Sequence, residues 1–177
     1  MTPDSDTSKD AVDHIVAQWA RERPDLDTGP MQVVGRLHRL AALLDVELHR
    51  VFSEVGLGNG DFDVLASLRR AGAPYRLRPG ELSASTMVTS GAVTKRVDRL
   101  AKMGLVRRSV SAEDARVREI ELTPQGRALV DDMAARHWAN EDRLLAPLGP
   151  RERTQLAGLL RTLLLDVEGP VVPVDAH

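Results

Sequence analysis

Cysteine is absent from the 177 residues, which removes disulfides, thiolate metal sites and thiol-based redox sensing together. Aromatic side chains are nearly as scarce, with two Trp, two Phe and one Tyr, so a core has to come mainly from Leu, Val and Ala. No stretch approaches the roughly 18 to 20 apolar residues that a bilayer span needs, and the amino end lacks the basic-then-apolar pattern of a secretion signal. A cytoplasmic location is the expectation. The five histidines form no tight ligand pair: His38 and His49 share a helical face but stand roughly 16 Å apart along it. No metal and no cofactor are therefore expected. Ser83, Ser85, Ser90 and His49 are present, but no nucleophile elbow, phosphate loop or HExxH motif surrounds them, and enzyme activity is not expected.

Charge is distributed unevenly. Between Thr89 and Arg118 eight lysines and arginines face three acids, whereas Met1 to Asp27 holds three bases and seven acids, and the whole chain carries −2. A basic stripe on a mildly acidic protein suits a polyanion met by one face only.

Periodicity and punctuation give a mainly α-helical chain with one small β-hairpin. Val12, Ile15, Val16 and Trp19 recur at helical spacing behind Ser8 as a candidate N-cap, and Pro24 ends that helix. Thr28 and Pro30 open a long second helix, closed by Gly56. Helices are expected from about Asn59 to Ala71, from Pro79 through PGELSASTM, and from Thr89 or Ser90 to about Met103. Leu105–Val110 and Val117–Leu122 have the β-branched character of paired strands with 111–116 as the tip. Thr123 and Pro124 begin a helix running through Leu145. After Pro147 and Pro150 comes a last helix bearing Leu156, Leu159, Leu160, Leu163, Leu164 and Val167. The expected division is an extension (1–28), a helical dimerisation region (29–56 with 124–168), a winged helix-turn-helix (57–123) and a disordered tail (169–177).

At 100° per residue Val93, Val97 and Leu100 share one side of the fifth helix and must face the core. The opposite side presents Gly91, Thr94, Lys95, Asp98 and Lys102. Small residues with long cations suit a helix seated in a major groove, with Thr94 and Lys95 near base edges, Lys102 alongside them, and Thr89 and Ser90 at the helix amino end on phosphate. Arg116 at the hairpin tip suits a narrow minor groove. The alternative for these cations is a solvated helix face and an ordinary charged hairpin. A winged-helix module that binds protein instead of DNA is the competing function.

The run LRPGELSASTMVTSGAVTKRVDRLAKMGLVRR, followed by EDARVREIELTPQGRAL, resembles the MarR family of bacterial winged-helix repressors over about residues 30 to 166. That resemblance implies a winged helix-turn-helix with a helical dimerisation region. It implies a homodimer on a pseudo-palindromic operator in duplex DNA, and control by a small ligand. It gives Asp114 the role of orienting Arg116 or Arg118 in the wing. Ser111 departs from the commoner family wing, where an acid often stands.

The extra helix around Trp19, together with FDVLASLRRAG, is similar to the urate-responsive branch of the family. The branch implies a pocket for a small anion, urate or a related purine, formed by Trp19, Asp63 and Arg96, with Arg108 as a fourth member. A small carboxylate is the alternative ligand. The residues themselves allow other roles: Trp19 as a core anchor, Asp63 as a first-turn dipole partner beside Asp61, and Arg96 as a phosphate ligand.

Overall fold

The computed structural model describes residues 9–86, 90–110 and 116–169, in two compact units that divide after Glu47. In the first, α1 (Ala11–Glu22) is capped not at Ser8 but at Asp10. The Asp10 carboxylate accepts from the backbone N–H groups of Val12 (2.7 Å) and Asp13 (3.0 Å), and the Asp13 carboxylate accepts from the Asp10 N–H in return (2.9 Å). This reciprocal pair satisfies donors that the first turn leaves open. Next comes α2 (Gly29–Ser53), with Pro30 in its first turn as expected. Gly35 on α2 leaves room for Val12, the one buried residue of α1: a Cβ there would meet the Val12 methyl at 3.2 Å. Arg36 of α2 bridges Asp10 (2.8 Å) and Asp13 (2.7 Å), so the cap is also a tie between the two helices.

The second unit contains the end of α2, α3 (Asn59–Arg70), β1 (Arg76–Leu77), α4 (Pro79–Ser85), α5 (Ser90–Lys102), β2 (Val106–Val110), β3 (Arg118–Leu122), α6 (Pro124–Leu144) and α7 (Pro150–Glu168). The strands form an antiparallel sheet in the order β1-β3-β2, with Arg108 opposite Ile120 and Arg76 opposite Glu121. Strand β1 was not expected; its two residues are too few for any alternation to register. Phe52, Leu65, Leu68, Leu82, Val97, Leu100, Leu105, Ile120, Val130 and Met133 belong to one continuous core. Phe52 and Phe62 stack with ring centres 4.4 Å apart, and His137 tilts against both.

The LTPQG motif has a packing explanation. Thr123 Oγ1 accepts from the Gly126 N–H (3.0 Å) and donates to the Gly104 carbonyl (2.7 Å), joining the α6 cap to the end of α5. A Cβ on Gly126 would lie 1.9 Å from the Leu105 carbonyl oxygen, so only glycine lets α6 start against that backbone. Gly104 itself takes a left-handed φ of 73° where the chain leaves α5 for β2.

Candidate nucleic-acid interface

Helix α5 presents two faces, as its periodicity requires. Val93, Val97 and Leu100 are buried, while Thr94, Lys95, Asp98 and Lys102 are exposed. Ahead of it, α4 is short because Pro79 starts it, Glu81 accepts from the Arg78 N–H (2.8 Å), and Thr86 turns extended. Its carboxyl end is fastened to α3: Arg70 Nη2 donates to the Ser85 carbonyl (2.8 Å), and Ser67 Oγ, from a buried side chain, donates to the same oxygen (3.0 Å).

Two ion pairs flank α5, and neither was expected from the sequence. Arg99 donates to the buried Asp61 carboxylate (2.5 Å) and to the Gly56 carbonyl, while Asp61 also accepts from the Gly58 N–H (2.9 Å). One carboxylate thus caps α3 and pairs with α5. On the other flank Arg108 of β2 pairs with Asp98 of α5 at 2.7 Å, with both side chains about half exposed. The neighbouring Arg107 is engaged twice by Glu121 across the strands (2.9 and 3.1 Å), and this hydrogen bonding raises the Arg107 pKa above its ordinary value. A register reading of β2 against β3 signals the Arg107–Glu121 pair; the two α5 pairs join residues far apart in sequence and leave no such local mark.

The expected DNA contacts divide as follows. Thr94, Lys95 and Lys102 stand on the exposed face of α5, and Arg116 is exposed beside the hairpin tip. Ser90 begins α5, and only its backbone place is described. Thr89 and Asp114 lie outside the described residues.

The expected ligand residues sit in different surroundings. Arg96 points back toward protein: it is partly buried and its guanidinium lies over Gly60 at the start of α3, where a Cβ would meet Arg96 Nε at 2.2 Å. Among the described residues Arg96 makes no hydrogen bond or ion pair, so it is not held by Asp63; the acid that grips α5 is Asp61, through Arg99. Asp63 is half-buried on α3, and Arg108 is engaged by Asp98. Trp19, in the first unit, is 47% exposed in a single copy of the chain. No group of three or more potential metal ligands occurs among the described residues, nor any helix long and apolar enough to cross a membrane.

The MarR family profile matches residues 55–117, from the turn ahead of α3 to the residue before β3. The transcriptional regulator PecS of Dickeya dadantii (strain 3937) is 42% identical over 149 residues, covering 84% of this chain and 90% of PecS. Among solved structures, a MarR variant from E. coli in complex with operator DNA superimposes with a TM-score of 0.66 at 27% identity, over 82% of this chain and 97% of that one. Bordetella bronchiseptica BpsR, whose DNA binding is regulated by 6-hydroxynicotinic acid, gives a TM-score of 0.66 at 26% identity, over 74% of this chain and 91% of BpsR. With a winged helix-turn-helix whose recognition helix exposes a cationic face, and with a regulator 42% identical along most of its length, the chain belongs to the MarR family of DNA-binding transcriptional regulators.

Proposed function

We propose that this chain is a repressor that binds a pseudo-palindromic operator as a homodimer and is released by a small planar anion. In this reading α5 enters the major groove with Thr94, Lys95 and Lys102 toward bases and backbone, Thr89 and Ser90 on phosphate, and Arg116 in the minor groove with Asp114 orienting it. Dimerisation is supported by α7, none of whose residues is buried although Leu159, Leu163, Leu164 and Leu165 are each 48% exposed or more. An apolar helix face of that size is stable when a second copy covers it.

Ligand control rests on Arg96. A partly buried guanidinium without an acceptor is costly, and an anion that supplies one is correspondingly favoured. Arg96 belongs to the recognition helix, so an anion there biases the position of α5 and couples occupancy to DNA release. Trp19 offers a flat face for a ring, and Asp63 a hydrogen-bond acceptor for ring N–H groups. Arg108 can join by exchanging Asp98 for the ligand. Urate or a related purine fits that set, and the regulation of BpsR by 6-hydroxynicotinic acid favours a planar heteroaromatic carboxylate as the second reading.

The test is thermal stability of the pure protein with urate, purines, 6-hydroxynicotinate and di- or tricarboxylates. A ligand at one hundred times its Kd adds about 2.7 kcal/mol and raises Tm by several degrees. Asp63→Asn and Arg96→Ala should abolish that rise, and equal rises in wild type and variants would exclude the pocket. Duplex binding that weakens steeply with salt distinguishes this function from a protein-interaction module.

A further inference from the structure

The acid on the exposed face of α5 is out of character with its surroundings. Asp98 is the single carboxylate in Ser90–Lys102, and it lies within 60° of Thr94, Lys95 and Lys102 around the helix by the 100° rule. A carboxylate there faces the strong negative potential of a duplex. Its pairing with Arg108 does not explain it as a stabilising device, because ion pairs this exposed contribute little to folding. The pair's geometry does offer another use. Arg108 holds one oxygen, Oδ1, at 2.7 Å and so fixes the carboxylate, leaving lone pairs of the second oxygen for a donor.

We propose that Asp98, aimed by Arg108, selects cytosine at one position in each operator half-site by accepting a hydrogen bond from the cytosine N4 amino group. This rests on the assignment of α5 as the groove-reading helix. Cytosine presents only that amino donor in the major groove, whereas guanine and thymine present acceptors that repel a carboxylate. Adenine pairs its amino donor with the N7 acceptor, which repels the second carboxylate oxygen. The remaining guanidinium donors of Arg108 match the O6 and N7 acceptors of the guanine across the same base pair. Arg108 is the positioning residue in this arrangement. Asp98 works mainly by rejection: its charge lowers affinity for every sequence that offers it no amino group.

The full chain, as wild type, Asp98→Asn, Asp98→Ala and Arg108→Gln, is incubated with a pool of random duplexes, and the bound fraction is sequenced. Wild type should enrich cytosine at one position per half-site by roughly 5- to 100-fold over other bases. Asp98→Asn should move that preference to adenine, which an amide recognises through N6 and N7. Asp98→Ala should lose the preference there while binding other sequences as tightly as wild type or tighter. Arg108→Gln should blunt the cytosine preference, since the carboxylate is no longer aimed. A tether that merely braced the wing would lower affinity for all sequences alike and shift no base. A motif identical in wild type and all three variants therefore overturns this inference alone. A pool from which wild type selects no motif overturns the reading of α5 as well.

Discussion

Helices α1 and α3 are each twelve residues long, yet α3 buries seven of them and α1 buries one. In α3 the buried set includes Phe62, Val64, Leu65 and Leu68, each supplying roughly 1.5 to 3 kcal/mol of apolar burial. In α1 the equivalent apolar residues Ile15 and Trp19 are exposed, and so are Val33, Val34, Leu40, Leu43 and Val46 on α2. The second unit contains its own core; within the first, α1 is held to α2 by Val12 against Gly35 and by the Arg36 bridge. Evenly spaced apolar residues thus have different surroundings: contacts already made within the chain in α3, and side chains left exposed in α1 and α2.

The largest effect should come from the tightest point of the second unit. Gly126→Ala puts a methyl where the Leu105 carbonyl already lies, and neither backbone can give way without unseating the α6 cap. We expect a loss of more than about 3 kcal/mol in urea unfolding. A loss under about 1 kcal/mol would mean that α6 slides freely against Leu105 and that the second unit is not tightly packed at this point. Leu68→Ala, in the same core, should cost about 2 to 5 kcal/mol.

Next in size is the Asp61–Arg99 anchor. Removing Arg99 leaves a buried carboxylate with its Gly58 N–H bond only, and solvent reaching the half-exposed arginine side softens the penalty. Arg99→Ala should therefore cost about 1 to 3 kcal/mol and weaken operator binding through a misplaced α5. Asp61→Asn alone should also destabilise, because an amide oxygen still accepts from Gly58 but no longer neutralises Arg99. The same magnitude in Arg36→Ala would erase the distinction between units, since Arg36 bridges acids that solvent still reaches, Asp10 exposed and Asp13 partly so.

These contrasts also mark what could be read without coordinates. The helix stop at Gly56, the Thr123 cap and the buried stripe Val93, Val97 and Leu100 were legible because each is a local rule about backbone freedom, capping or period. The N-cap was displaced from Ser8 to Asp10 because a carboxylate with an acid three residues on makes both bonds of a capping box. Asp63 and Arg96 were placed in one pocket by the family resemblance. Only three dimensions show that α3 turns Asp61 to α5, and that Gly60, lacking a side chain, makes the seat Arg96 occupies. Glycine in GNGDFDVL reads as a turn, and nothing local distinguishes a turn from a space reserved for a distant guanidinium.

A smaller effect on folding, but a direct one on assembly, separates the two kinds of apolar surface. Leu159→Lys with Leu163→Lys changes side chains exposed in one copy of the chain, so folding of the winged helix should be nearly unchanged. Sedimentation should show a monomer, and operator affinity should fall with the loss of the second recognition helix. A double variant that stays dimeric would show that α7 is an ordinary solvated helix.

The smallest effect lies at the α1 cap, where pH reports on it. The Asp10 pKa is lowered, first by the hydrogen bond from the Asp13 backbone N–H and then by those from Val12 and Arg36. With the folded value below the unfolded one, the cap's contribution is complete above the ordinary carboxylate range and is lost as pH falls through the lowered value. Nothing should change between neutral pH and mild acid; below that, amide exchange at Val12 and Asp13 should quicken before the core of α3 loosens. Asparagine is also a good N-cap but does not ionise, so Asp10→Asn should keep most of the helix and flatten its acid dependence, while Asp10→Ala should raise exchange at every pH. If Asp10→Asn retains the wild-type acid dependence, the joint between α1 and α2 is held by something other than this carboxylate, and the polar account of the first unit is wrong.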